Sequence, residues 1–129
     1  MTIKWILPHA VYAIHSEQIS EHGGEEGVRD DNLLHSALEA PKQCHHYQEN
    51  ISIAALAAIY AHRLIKNHPF IDGNKRTGYI TARLFLLLNG YDFFASEEDR
   101  LIIFIQIADG SISEMEIIRW FEDRSKVIG

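Results

Sequence analysis

His68-Pro69-Phe70-Ile71-Asp72-Gly73-Asn74-Lys75-Arg76-Thr77-Gly78 lies where two apolar-patterned stretches meet, 52–67 and 74–89. In the first, Ile53, Leu56, Ala57, Tyr60, Ala61 and Leu64 fall at the i, i+3, i+4, i+7, i+8, i+11 spacing of a buried helix face. Alanines at 54, 55, 57, 58 and 61 allow close packing there. In the second, Ile80, Leu84, Phe85, Leu86, Leu87 and Leu88 surround the axis, the pattern of a central helix. The short polar stretch between them reads as a turn that opens the second helix. A helix start carries unpaired N–H donors and partial positive charge, so it is a ready anion site, with phosphate a common occupant.

Each residue of the turn has two readings. His68 precedes a proline, which disfavours helix and pushes the backbone towards extended geometry. It should therefore sit just past the first helix, as a general base for a hydroxyl or as a cap on the helix carbonyls. Asp72 is an N-cap or, turned inward, a Mg²⁺ ligand, since Mg²⁺ with ATP is held by one or two carboxylates plus phosphate oxygens. Gly73 lets backbone approach an anion. Asn74 adds an amide donor. Arg76 offers a planar fork to phosphate oxygens, and Lys75 a compact cation. Phe70 reads as an apolar anchor that fixes the height of His68.

Outward from the turn, four more helices are expected. Pro8 starts one over 8–21 that stops at Gly23-Gly24. Asp30 or Asp31 caps one over 31–40, with Leu33, Leu34, Ala37 and Leu38 inward and Glu39 and Pro41 closing it. Residues 41–50 have no period and read as a loop or irregular hairpin before the cap Ser52. After Asn89-Gly90, Tyr91 to Phe94 reads as a short extended piece. Ser96 with Asp99 opens a helix near 97–108, with Leu101, Ile102, Phe104, Ile105 and Ala108. That segment is β-branched, so a strand is the competing reading. Ser113 with Glu116 caps a helix near 114–125 with Ile117, Ile118 and Phe121 inward. The fold class is all-α, with about six helices and little sheet, and residues 1–129 form one domain.

Composition narrows the function. The formal net charge of −6 argues against DNA as a direct partner, because Lys and Arg supply most of that affinity. The single cysteine, Cys44, excludes an intrachain disulfide, fits a cytoplasmic setting and reads as an apolar filler. The apolar start, Met1 to Pro8, is too short for a signal peptide or membrane span. Eight histidines invite a metal, yet no paired spacing for zinc occurs.

The run His68 to Arg76 resembles the signature of the Fic/Doc superfamily, H-x-F-x-[D/E]-[G/A]-N-[G/K]-R. Gly27-Val28-Arg29-Asp30 before Leu33-Leu34, and Phe85-Leu86 before Asn89-Gly90-Tyr91, are similar to the death-on-curing (Doc) toxin branch. The resemblance implies an all-α Fic/Doc domain with the motif loop between two central helices and a small flap, which would fall near His45 to Asn50. It implies that His68 is the base, with Asp72 and Arg76 catalytic beside it and Asp72 holding Mg²⁺. Gly73, Asn74, Lys75, Arg76 and Thr77 would bind ATP, with Gly73 and Asn74 as the anion hole.

Members of the superfamily move part of a nucleoside triphosphate onto Ser, Thr or Tyr of another protein. Lys75-Arg76, and Tyr79 where AMP transferases carry a second arginine, are similar to the Doc branch. That branch implies transfer of the γ-phosphoryl group to a translation factor such as elongation factor Tu. Asp72-Gly73 is the version usual among AMP transferases, so AMP transfer is the alternative, with an inactive interaction domain a third reading. Arg83 stands in for the missing arginine or forms a surface salt bridge. The inhibitory pattern S/T-x-x-x-E-G/N is absent from the sequence. Restraint from outside, by an antitoxin protein acting in trans, is what the resemblance then implies. No membrane is involved on this reading, and the oligomeric state is left open.

Overall fold

The computed structural model describes residues 2–129. Six helices and two short strands follow one another: α1 Pro8–His22, α2 Asp31–Tyr47, α3 Ile53–Asn67, α4 Asn74–Leu88, β1 Tyr91–Phe93, α5 Glu97–Asp109, α6 Glu114–Arg124 and β2 Ser125–Val127. Local chemistry sets most of the helix starts. Asp30, Ser52, Ser96 and Ser113 each accept a backbone N–H of the helix they precede, and Ser113 with Glu116 closes a full capping box.

The centre of the molecule is α3, not α4. Ten of the fifteen residues of α3 are buried, and α2, α4 and α6 pack around it. Its alanines let these neighbours close in. Gly78 of α4 answers them, since a Cβ there would lie 2.8 Å from Ile65 Cγ1. The α4 helix is less enclosed than its composition implies, because Leu87 and Leu88 at its far end are exposed. Tyr60, Phe85, Phe93, Phe104 and Phe121 fill the space between the helices.

Three expectations need correction. Pro41 does not close α2: the helix runs through it to Tyr47, and what reads as a loop over 41–50 is helical as far as Tyr47. An internal proline costs a helix about 3 kcal/mol. Burial of Leu34, Ala37, Leu38, Ala40 and Pro41 along one stripe offsets it, and Trp5 packs on His45 in the extra turns. In α5 the inward face is Ile103, Phe104 and Ile107, whereas Leu101, Ile102 and Ile105 are exposed. The third is the chain's end, where Ser125, expected to close the last helix, instead opens β2, a strand that pairs antiparallel with β1 (Tyr91 opposite Val127). Among the described residues no helix is long and apolar enough to cross a membrane.

Candidate active site

The turn between α3 and α4 is clamped from inside by Asn74. This side chain is 6% exposed and points into the turn, not out to a ligand. Its Oδ1 accepts the Phe70 N–H at 3.0 Å, while Nδ2 donates to the Phe70 carbonyl at 2.9 Å and to His68 Nδ1 at 2.7 Å. The Phe70 peptide fixes which end of the amide faces the imidazole. His68 Nδ1 is thus an acceptor, and the neutral ring carries its proton on Nε2. Only the backbone N–H of Asn74 is left for the anion hole.

His68 does lie just past α3, but its backbone is left-handed (φ 51°, ψ 54°) and not extended. It is the one non-glycine residue with positive φ among those described. Such a conformation costs roughly 1–3 kcal/mol and persists only where neighbours over-determine it. Arg29 does so from across the chain: its Nε donates to the His68 carbonyl at 2.7 Å and its Nη2 to the Asn67 carbonyl at 2.9 Å. One guanidinium fork thereby closes the end of α3.

The outer brace is the segment 23–30. Arg29 and Asp30 N–H both donate to the Pro69 carbonyl, Ile71 N–H donates to Gly27, and Val28 bridges Phe70. This corrects the expected flap, because it is 23–30 that lies against the motif. His45 to Tyr47 belong to the far end of α2, about 20 Å along the helix from its start. Behind the turn stands His15 of α1, buried, its ring stacked on Phe70 at 3.8 Å and its Nε2 donating to the Asp72 carbonyl at 2.8 Å.

Asp72 is not the N-cap of α4. Gly73 is, with φ 78° and no side-chain cap, so the first N–H groups of α4 are open to an incoming anion. A Cβ on Gly73 would also press on Ile19 at 3.1 Å. The Asp72 carboxylate is exposed and accepts the N–H of Glu25 at 3.2 Å and of Gly73 at 2.9 Å. These two backbone donors, in that order, and then Arg76, hold its pKa below the usual carboxylate value. It is ionised at neutral pH and can ligate a cation. One carboxylate suits Mg²⁺ when phosphate oxygens complete the shell. Among the described residues no group of three or more His, Cys, Asp or Glu is placed to hold a metal by itself.

A cavity of about 380 Å³ opens over this turn, lined by His68, Asp72, Gly73, Asn74, Lys75 and Arg76 with Ile65 and Ala108. His68, Ile65 and Ala108 also line a second cavity, towards His62 and Glu114. Lys75 and Arg76 line a third, between α4 and α5. The structure thus gathers His68, Asp72, Gly73, Lys75 and Arg76 around one space, with Phe70 buried beneath as the anchor. Thr77 does not join them. It is 1% exposed, faces the core, and its N–H makes the bond to Gly73 that starts α4. Arg83 is the surface salt bridge, bidentate to Asp92 at 3.0 and 3.1 Å. Burial, and then Glu114, push the Cys44 thiol up, which fits a filler and not a nucleophile.

His15 and Arg29 were not singled out as site residues from sequence. Arg29 and His15 reach the site across 39 and 57 residues of chain. The Gly27-Val28-Arg29-Asp30 resemblance contained Arg29, and no sequence signal marked His15.

The model of the Fic/DOC family matches residues 5–86. The chain is 31% identical over 96 residues to "Protein kinase doc" of Escherichia phage P1, covering 74% of this chain and 76% of that protein. It is 36% identical over 74 residues to "Toxin Doc" of Mycolicibacterium smegmatis, 57% of each chain. A Fido domain-containing protein of Dictyostelium discoideum is 40% identical over 58 residues, 43% of this chain and 41% of that one.

Proposed function

The chain belongs to the Fic/Doc family, and we propose that it is a Doc-type toxin that moves the γ-phosphoryl group of ATP onto a hydroxyl of a target protein. One observation carries the reading: the uncapped mouth of α4 opens into the same cavity as His68. Phosphate oxygens would meet the N–H groups of Asn74, Lys75 and Arg76, the Arg76 fork and the Lys75 ammonium. Asp72 would hold Mg²⁺ on those oxygens, where the ion would neutralise charge on the phosphates. Two relatives named as a Doc kinase and a Doc toxin support the kinase and toxin parts.

In the transfer, the hydroxyl oxygen forms a bond to the γ-phosphorus as the bond from that phosphorus to the β,γ-bridging oxygen breaks, and ADP leaves. His68 takes the hydroxyl proton. The Asn74 contact bears on this step. A proton can be taken at Nε2 only when the ring holds its own proton at Nδ1. The Asn74 N–H therefore gives up His68 and keeps its bond to Phe70 before transfer. A protein with this activity requires restraint, which an antitoxin in trans supplies; a translation factor such as elongation factor Tu is the proposed target.

Incubation with a cytosolic extract and ATP labelled at the γ- or the α-phosphate tests the reading. Label should pass to a protein from the γ position only, and His68→Ala should lower the rate by about 10²–10⁴-fold. Transfer from the α position would replace this account by AMP transfer, which the Asp72-Gly73 pair favours. A growth arrest untouched by His68→Ala would point to an inactive interaction domain.

A further inference from the structure

The end of α3 is closed by a residue from another part of the chain. Helices α1, α2, α4 and α5 each finish on a backbone N–H of the cap residue. At α3 the cap is His68, and the next residue is Pro69, which has no N–H to offer. The three consecutive carbonyls of Asn67, His68 and Pro69 all accept from Arg29. Its Nη2 donates to the first at 2.9 Å, its Nε to the second at 2.7 Å and its backbone N–H to the third at 2.7 Å. The neighbouring Asp30 anchors this residue: its N–H also meets the Pro69 carbonyl, and its carboxylate caps α2. Glu25, Glu26, Asp30 and Asp31 lie within four residues of Arg29, yet among the described residues it forms no ion pair. An exposed guanidinium that passes over nearby carboxylates for two carbonyls is set by geometry and not by charge.

We propose that Arg29 is a positioning residue for the transfer, holding His68 in the one backbone conformation that aims its ring. The proposal rests on the reading of His68 as the base. The carbonyls of Asn67 and His68 belong to the two peptide planes that flank the His68 Cα. The φ and ψ of His68 are the rotations that relate those planes to that carbon, so a planar fork bound to both carbonyls fixes both angles. Without the fork, a residue before proline relaxes towards extended geometry. From φ 51° and ψ 54°, that change swings the Cβ. The imidazole then leaves Asn74 Nδ2 and the cavity over the turn, both of which it meets now. Arg29 itself does not line that cavity. It touches neither the N–H groups at the mouth of α4 nor the side chains of Lys75 and Arg76, and it acts only through His68. Its loss should therefore lower the rate of transfer and leave ATP binding in place.

Nitrogen NMR of the histidine rings reads the position directly, with His68→Ala identifying the His68 signals among the eight histidines. In the wild type, at a pH where the ring is neutral, they should report one tautomer with its proton on Nε2, because Nδ1 accepts from Asn74. In Arg29→Ala they should move to the average of the two tautomers. Label transfer at saturating ATP should fall by about 10–100-fold in that variant, while calorimetry with ATP and Mg²⁺ should give a Kd within about twofold of the wild type. Arg29→Lys keeps the charge but can hold only one of the two planes, so its rate should lie nearer to Arg29→Ala than to the wild type. Free guanidinium at millimolar concentration should restore part of the Arg29→Ala rate. Should Arg29→Ala fail to fold, Arg29→Lys carries the same ring and rate readouts. Unchanged ring signals, a loss of ATP affinity that matches the loss of rate, or a wild-type rate in Arg29→Lys would make Arg29 an ordinary helix cap and overturn the proposal. If the wild type transfers no label at all, the phosphotransfer reading falls, and the ring signals alone decide whether Arg29 places His68.

Discussion

Two apolar helices of similar length are put to opposite uses. In α3 ten of fifteen residues are buried, whereas in α5 three of thirteen are. The α3 helix spends its apolar surface on three neighbours. The α5 helix spends one narrow face on the core and leaves Leu101, Ile102 and Ile105 exposed, with Leu101 and Ala108 on cavities that flank the turn. Apolar composition alone does not distinguish a core helix from the wall of a site. What distinguishes them is whether a neighbour comes down on the face. Around α3 small residues let neighbours approach closely; α5 packs along one narrow face on α3 and α4 and reaches α6 through Phe104 and Phe121.

The contrast is broken most directly by one truncation in each helix. Leu56→Ala in α3 removes a fully buried side chain and should cost about 2–5 kcal/mol. Leu101→Ala in α5 should change stability by less than about 0.5 kcal/mol. Urea titrations of the two variants decide it, and equal losses would mean that the α5 face is core after all. Next in size is Asn74→Ala, at the point where α3 is joined to α4. It strands the buried N–H and carbonyl of Phe70 and should cost about 1–3 kcal/mol. Nucleotide affinity should fall with it, because the turn no longer holds its shape.

A pH series tests how α3 is tied to α6. His62 donates to Glu114 at 2.6 Å and Arg63 at 2.8 Å. The His62 bond first, and Arg63 after it, hold the Glu114 carboxyl at about 2, against an ordinary 4.5. A depressed carboxylate stabilises the fold above its unfolded pKa and loses that contribution as pH falls through the folded value. The wild type should thus lose stability between about pH 4.5 and pH 2, and Glu114→Gln should lose less over the same window in thermal melts. The smallest effect belongs to Arg83→Gln. Its ion pair with Asp92 is at the surface, so the loss should stay within about 1 kcal/mol. ATP affinity should not move; a drop would bring Arg83 back as a phosphate ligand.

How much could be read from sequence follows the range of the interaction. Ser52, Ser96 and the Ser113–Glu116 box act within four residues, and each opens its helix as expected. The motif was legible because its residues are contiguous and sit between two periodic helices. The left-handed His68 was not, since the rule for a residue before proline names what is disfavoured and leaves the alternative to the neighbours. Here the neighbour is Arg29, far away in the chain. The inward turn of Asn74 was hidden for a related reason: an amide can face out to a ligand or in to a peptide, and the geometry of the Phe70 peptide selects the second.

The sequence by itself determined that there would be six helices, that one short turn would bring an imidazole, a carboxylate and a helix start together, and which caps would begin most of the helices. These follow from steric and hydrogen-bonding preferences that act between near neighbours. Only the tertiary structure decided that Pro41 stays inside a helix, that 23–30 and not 45–50 lies over the motif, and that α5 turns part of its apolar surface to a cavity beside Lys75 and Arg76. Those outcomes depend on burial, which is set by whatever packs against a surface, and no local preference carries that information.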